Sequence, residues 1–214
     1  MKRELLITAD GSHTLYVPEL NEHYHSINGA VQESLHVFIN AGLNFVSKDF
    51  IKILEVGFGT GLNALLSLIE AEKQNKKIYY ESIEPYPIEP EIWQNLNYAT
   101  KSADYFVSLH TAEWNKEMKI TEHFTLKKLN VLLNDYQTLQ KFDLIYFDAF
   151  APDIQPELWS KAVFDKMYNS LNVGGVLVTY SSKGLVKQNL RDAGFTVTRL
   201  KGAGGKRHMV RAVK

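Results

Sequence analysis

From residue 51 onward, short continuous apolar runs alternate with stretches whose apolar positions recur every three to four residues. Residues 51–56 read as a buried strand, and Leu62, Leu65, Leu66 and Ile69 follow at i, i+3, i+4 and i+7, the spacing of one helix face. A second strand over residues 78–83 ends at Glu84-Pro85. Pro90 then stands just inside the next periodic stretch (Ile92, Trp93, Leu96), where a helix starts. Residues 101–128 fit this rhythm poorly and read as a helix plus loops inserted before a third strand over 129–133. Residues 142–147 form a strong fourth strand, and Trp159, Ala162, Val163, Met167 and Leu171 put an apolar stripe on the helix after it. Gly174-Gly175 turns the chain into a fifth strand over 176–180. A short helix with Val186, Leu190 and Ala193 inward stops at Gly194 before a strand over 195–200, and the turn 201–206 returns the chain as 208–213. Two final strands without a helix between them form a hairpin, so the last strand runs antiparallel to an otherwise parallel sheet.

The first 50 residues differ in character. Asp10-Gly11 within residues 7–17 signals a hairpin, and Val31, Leu35 and Phe38 predict a helix over 29–40. Residues 1–50 therefore read as a small cap on an α/β domain spanning 51–214, and 214 residues fit one elaborated domain. No apolar run approaches the ~18 residues of a membrane span. Met1-Lys2-Arg3-Glu4 leads into only three apolar residues, so the expected location is the cytoplasm, with no membrane partner. The absence of cysteine excludes disulfides, thiolate metal sites and cysteine nucleophiles. Net charge is zero, yet residues 183–214 hold nine basic residues against the single acid Asp192. Such segregation suits a polyanion ligand and equally a solvated charged face.

The candidate chemistry begins at Glu55-Val56-Gly57-Phe58-Gly59-Thr60-Gly61-Leu62-Asn63, between a strand and a helix, where backbone amides approach a ligand closely. A dinucleotide fingerprint would need glycine at 62, which is leucine, and no Gly-Lys-Ser/Thr follows to make a phosphate loop. The pattern acid-x-Gly-x-Gly-x-Gly instead resembles the first motif of Rossmann-like S-adenosylmethionine-dependent methyltransferases, in which the acid faces the methionine amino group. Three more carboxylates fall at successive predicted strand ends: Glu84, Asp135 and Asp148. For an adenosyl cofactor, an acid after the second strand accepts the ribose hydroxyls and one after the third accepts the adenine amino group. Asp148-Ala149-Phe150-Ala151-Pro152 occupies the place of the Asp/Asn-Pro-Pro-aromatic loop of amine-directed methyltransferases. Methyl transfer is an in-line displacement, so an amine of pKa ~10 must first shed its proton, and a carboxylate accepts it. Phe150 either stacks on a base or belongs to the core.

Further motifs extend the likeness. Asp10-Gly11-Ser12-His13-Thr14-Leu15-Tyr16, His23-Tyr24-His25-Ser26, Gly29-Ala30, Gln32-Glu33-Ser34 and Val37-Phe38 resemble the N-terminal region of the MnmC-type tRNA methyltransferases. Glu55 to Asn63, Asp148 to Pro152 with Trp159, Gly174-Gly175, and Gly194-Phe195 followed by Lys201-Gly202 continue the resemblance in order over nearly the whole chain. It implies a Rossmann-like methyltransferase fold with a mostly parallel seven-stranded sheet. It also implies S-adenosyl-L-methionine as cofactor and N-methylation of a 5-aminomethyl group on the wobble uridine of tRNA. Many members fuse this domain to an FAD-dependent oxidoreductase. No second glycine-rich βαβ unit occurs here, so the expectation is methyltransferase activity alone; the oligomeric state stays open, with a monomer favoured.

Carried over by residue, the resemblance assigns Glu55, Gly57, Gly59, Gly61, Asn63, Glu84 and Asp135 to the cofactor, with Tyr24, Ser26 and Glu33 on the cap side. Asp148 stands beside the acceptor amine, flanked by Phe150 and Pro152. Separately from the resemblance, Lys201, Lys206, Arg207 and Arg211 surround the terminal hairpin and are expected to grip phosphates of the anticodon arm. His23 and His25 lack a third partner for a metal and read as structural; methyl transfer needs none. The alternatives are methyl or aminopropyl transfer to a small amine, which has no use for the basic tail, and a cofactor-binding module without turnover.

Overall fold

The computed structural model describes residues 1–98, 102–203 and 205–214. Lys101, at the head of the irregular 101–128 segment, and Gly204, in the 201–206 turn, lie outside them. The N-terminal hairpin forms as predicted: β1 (Glu4–Ile7) pairs antiparallel with β2 (His13–Val17), whose other edge takes β3 (Glu22–His23). Asp10 holds the turn. Its Oδ1 accepts from Ser12 N at 3.0 Å and Thr8 Oγ1 at 2.7 Å, and its Oδ2 accepts from Gln32 N at 3.0 Å, tying the hairpin to α1 (Ala30–Ser34). The predicted 29–40 helix changes pitch midway. Residues Leu35–Asn40 are π-helical, and this winding packs Val37, Phe38 and Ile39 onto the sheet.

The βα rhythm follows as β4 (Phe50–Val56), α2 (Leu62–Gln74), β5 (Lys77–Ile83), the single turn α3 (Pro90–Trp93), α4 (Ala103–Thr111), β6 (Glu117–Lys119), β7 (Phe124–Leu129) and β8 (Phe142–Phe147). It closes with α5 (Lys161–Ser170), β9 (Leu171–Thr179), α6 (Gly184–Asp192), β10 (Thr196–Lys201) and β11 (His208–Val213). One eight-stranded sheet has the order β10-β11-β9-β8-β4-β5-β7-β6. Its centre is parallel, and β11 runs antiparallel to both neighbours, as the terminal hairpin requires. Two apolar layers cover it. Phe38, Leu65, Leu68, Tyr80 and Tyr146 lie in the layer that joins the cap and α2 to the sheet, while Trp159, Phe164, Met167, Leu190 and Val210 fill the α5–α6 side.

Two departures from the predicted pattern have physical causes. The third strand is β7, five residues before the expected 129–133, and the 101–128 segment also adds β6 as an antiparallel edge, so the sheet has eight strands rather than seven. Lys127 and Lys128 disguised β7. Its alternation is Phe124, Leu126 and Lys128 inward, and Lys128 is only 1% exposed, its Nζ donating to His110 O at 2.8 Å and lying 4.7 Å from the Trp114 ring centre. Gly174-Gly175, read as a turn, lies within β9, whose pairing with β8 shifts register between Phe142 and Leu144.

Candidate active site

β4 leads to β5 and β7 on one side of the sheet, whereas β8 leads to β9 on the other. The strand order reverses between the paired β4 and β8, and a crevice opens beyond their C-terminal ends, the usual ligand position in open α/β sheets. A cavity of about 570 Å³ occupies it. Gly57 and Gly59 form its floor with φ of 93° and 49°. A side chain at Gly57 would place its Cβ 2.8 Å from Asp148 O, so the β4 turn and the β8 end meet backbone to backbone. Gly57 N donates to Ile83 O at 2.9 Å and Asp148 N to Val56 O at 3.0 Å, locking three strand ends together. α2 starts directly after Gly61, aiming its unpaired N-terminal amides at this corner.

The predicted acids fall in different layers. Glu84, buried in the wall, accepts from Gly59 N at 3.0 Å and Tyr86 N at 2.8 Å; burial raises its pKa despite these donors. Asp148 also lines the cavity, and Asn63 Nδ2 donates to its Oδ2 at 2.8 Å. Burial pushes Asp148 up to about 7, against the pull of Asn63. Asn63, expected at the cofactor, is thus first of all the partner of Asp148. Glu55 corrects the sequence reading. It is fully buried beneath the turn, outside the cavity wall, and accepts from Ser82 Oγ at 2.7 Å. Burial lifts it to about 8, so it presents no charge to a ligand near neutral pH. Asp135 is a second correction: with the strand ending at 129, it lies exposed in a later turn, and Leu133 and Asn134 line the cavity instead.

The loop after β8 is braced from behind. Trp159 Nε1 donates to Phe150 O at 2.8 Å, and Tyr180 Oη donates to Ala149 O at 2.9 Å. Phe150 lines the cavity and meets Tyr24 edge-on with ring centres 5.2 Å apart. Pro152 turns inward and is buried outside the cavity wall, correcting its expected role. On the cap side, Tyr24 Oη accepts from Arg3 Nε at 2.9 Å, and its ring packs over Gly59. Ser26 and Glu33 line the cavity, with Ser26 N donating to Glu33 Oε2 at 2.9 Å. His25, whose Nε2 is 3.3 Å from Thr60 Oγ1, is held neutral by burial, with its pKa lowered to about 4. Tyr180 and His25 were missed as site residues. Their signal was weak: an aromatic at a strand end and a histidine beside Tyr24.

The basic residues divide. Lys206 lines the cavity, its Nζ 2.5 Å from Glu33 Oε1, while its side chain stays open to solvent. Lys201 and Arg207 are exposed outside the cavity. Arg211 corrects its assignment: in the β10–β11 register, Lys201 opposes His208, and Arg211 three residues on points to the other face. There its guanidinium lies 3.6 Å from the Phe45 ring centre. Among the described residues no group of three or more His, Asp or Glu side chains is placed to hold a metal, and no helix is long and apolar enough to cross a membrane.

The cavity suits a nucleoside-bearing sulfonium. Its volume is that of a small-molecule site (about 300–1,000 Å³), its floor is the bare backbone of Gly57 and Gly59, where a Cβ would run into Asp148 O or the Tyr24 ring, and buried Glu84 borders it.

Comparison with known proteins agrees. A family model described as S-adenosyl-L-methionine-dependent methyltransferase matches residues 97–214. The tRNA 5-methylaminomethyl-2-thiouridine biosynthesis bifunctional protein MnmC of Cupriavidus metallidurans is 29% identical over 223 residues, covering 96% of this chain and 33% of its own length. The corresponding protein of Magnetococcus marinus is 29% identical over 220 residues, covering 94% and 32%. This chain spans about a third of the length of these curated relatives. The crystal structure of MNMC2 from Aquifex aeolicus superposes with a TM-score of 0.82 at 28% identity, covering 99% of this chain and 69% of that one. Spermidine synthase from Thermotoga maritima shares the fold alone, with a TM-score of 0.58 at 12% identity over 100% of this chain and 71% of that one. The chain belongs to the S-adenosyl-L-methionine-dependent methyltransferases, with the Rossmann-like fold and the cofactor that its glycine turn implied.

Proposed function

We propose that the chain methylates the amino nitrogen of a 5-aminomethyl group on the wobble uridine, position 34, of tRNA, giving 5-methylaminomethyluridine or its 2-thio form. The observation that carries this reading is Asp148: a cavity-lining carboxyl, oriented by Asn63 and raised to about 7, suited to taking a proton from an amine. The names and coverage of the relatives support the substrate.

When bound, S-adenosyl-L-methionine supplies an electrophilic methyl group on its sulfonium. The backbone of Gly57 and Gly59 would cradle it, with Glu84 at the ribose hydroxyls and Tyr24 and Ser26 closing the cap side, while Gly61 stands outside the cavity wall and faces His110 and Phe58. Glu55, held by Ser82 beneath the turn, and Asp135 are left out. Asp148 accepts the amine proton, while Phe150 and Tyr24 narrow the space beside it. Residues 1–50 serve as a cap within the same domain, a reading supported by Leu15, Val37 and Phe38 sharing one apolar cluster with the sheet.

The polyanion face is redrawn around the α6 side of the terminal hairpin. Arg199, Lys201 and His208 share that face by strand alternation. Arg199, Arg207 and Lys187 all act on His208, whose pKa is lowered by desolvation first and then by their charges. This cluster would hold phosphates of the anticodon arm. The test is methyl incorporation from labelled cofactor into hypomodified tRNA and, separately, into polyamines, with mass analysis of the wobble nucleoside. Label in 5-methylaminomethyluridine supports the reading; label in polyamines alone overturns it.

A further inference from the structure

One wall of the cavity carries a pairing that the proposed reaction does not use. Lys206, the one lysine or arginine lining the cavity among the described residues, places its Nζ 2.5 Å from Glu33 Oε1 and 4.5 Å from the Tyr180 ring centre. A carboxylate and an aromatic face together are the recognition chemistry of an alkylammonium ion. A lysine side chain ends in the same CH2–NH3⁺ group as a protonated aminomethyl substituent.

The two halves of this contact are unequal. Glu33 is anchored: its side chain is 8% exposed, it sits on α1, and its Oε2 accepts from Ser26 N at 2.9 Å. Tyr180 is anchored by its bond to Ala149 O and by the Trp159 ring, 6.0 Å away. Lys206, in contrast, has a side chain 39% exposed and stands at the end of a glycine-rich turn in which Gly205 has φ of 82°. The anionic and aromatic half is rigid, and the cation is the member free to leave. A buried carboxylate left without a cation is strongly unfavourable, so a lysine that covers it and yields to another ammonium keeps the site paired in both states. Asp148 stands close enough to feel both Glu33 and Lys206, which puts this pair beside the proton acceptor.

We propose that Glu33 and the face of Tyr180 form the seat for the acceptor's primary alkylammonium group, for which Lys206 of this chain stands in. The proposal rests on the reading that the acceptor is an amine, but not on that amine belonging to tRNA. It removes Glu33 from the cofactor and makes it, with Tyr180, a determinant of the acceptor.

The test uses n-butylammonium chloride, with n-butanol and sodium chloride at matched concentrations as controls. In the intact wild-type protein carrying 13C-lysine, the ε-methylene signal of Lys206 is shifted by the Tyr180 ring. The proposal expects n-butylammonium to move it saturably to the position of a free lysine, and neither control to do so. In Lys206→Met the same ion should bind about tenfold more tightly by calorimetry, the gain from removing a competing half-exposed cation. Adding Glu33→Gln, which keeps an acceptor for Ser26 N, should abolish that binding. A Lys206 signal unmoved by the ion, or moved instead by inorganic phosphate or an RNA oligonucleotide, overturns the proposal. So does an affinity that Lys206→Met leaves unchanged. If Lys206→Met fails to fold, the wild-type spectrum decides alone. Should n-butylammonium behave as expected while hypomodified tRNA takes no methyl, the seat stands and the tRNA assignment falls.

Discussion

Asp148→Asn separates two ways for the acceptor amine to lose its proton. At pH 7 an alkylamine of pKa ~10 is neutral about once in a thousand molecules. It either enters already neutral or enters charged and hands its proton to Asp148. Burial raises Asp148 from an ordinary 3.8 to about 7, so the hand-over is uphill by about three pKa units, or ~4 kcal/mol, against about six units for an exposed aspartate. The reactive pair on that route is an ionised Asp148 and a charged amine. In the wild type, kcat/KM therefore rises with slope one up to about pH 7 and stays level until the amine itself titrates near ~10. Asparagine keeps the contact, since its amide oxygen can accept from the Asn63 Nδ2 that now lies 2.8 Å away, but it cannot hold the proton. Only neutral amine then reacts, so the variant's rate climbs with slope one through pH 7 and beyond without a plateau. The expected deficit at pH 7 is ~10²-fold, about 2.7 kcal/mol, and it narrows as pH approaches 10. The assay is kcat/KM for methyl transfer between pH 6 and 10, with cofactor affinity measured alongside by calorimetry. A deficit constant across pH, or a plateau that survives in the variant, refutes the proton-acceptor role. An equal loss of cofactor affinity makes Asp148 a binding group instead.

Three further outcomes follow from the geometry. A carboxyl raised in the folded state contributes fully below its unfolded pKa and loses that contribution as pH rises to its folded value, so Glu55, raised to about 8, destabilises the wild type between pH 5 and 8. Glu55→Gln should remove on the order of 3 kcal/mol of that loss in urea unfolding at the two pH values; equal slopes for both proteins would show Glu55 charged throughout. Gly57→Ala sets a Cβ 2.8 Å from Asp148 O at a φ of 93°, so it should lower cofactor affinity at least ~10-fold and stability by about 1–3 kcal/mol, read by calorimetry and thermal melting. Arg207→Ala and Arg199→Ala should each flatten the log–log salt dependence of tRNA binding by about one unit. Arg211→Ala should leave that slope alone and act on stability, because its guanidinium packs on Phe45; an unchanged slope for Arg207→Ala would remove the α6 face from the RNA interface.

What the pattern of residues made legible depended on how many neighbours agreed. β8 is buried at every position and bounded by polar residues, so its limits were plain, and Asp148 one residue beyond its end followed directly. The N-terminal hairpin was equally legible because Asp10-Gly11 encodes its own turn. β7 was not: its inward residues include a lysine, and an alternation of Phe124, Leu126 and Lys128 looks polar until Trp114, Phe58 and the His110 carbonyl surround the ammonium. That single buried cation displaced the strand and carried Asp135 to a false strand end. The π-helical half of the 29–40 helix left no mark on the sequence, since its apolar residues are compatible with either winding. Arg211 could have been resolved from alternation alone, once the hairpin register with Lys201 opposite His208 was fixed.

Glu55 and Asp148 show why proximity to a strand end does not decide what an acid does. Glu55 lies within β4, level with Tyr146 of β8, and is sealed under the turn; Asp148 is one residue past the end of β8 and reaches the cavity. Two buried carboxyls this close do not both ionise readily. The one with access to the cavity sheds its proton first, and its charge then adds to burial in keeping Glu55 protonated. The acid of the glycine motif is thus neutral when Asp148 begins to titrate. Were Glu55 charged, its field would push Asp148 higher, and the carboxylate that meets the amine would be scarce at neutral pH. Burial of Asp148 itself thus sets its working pH, and its charge in turn helps to keep the deeper Glu55 neutral.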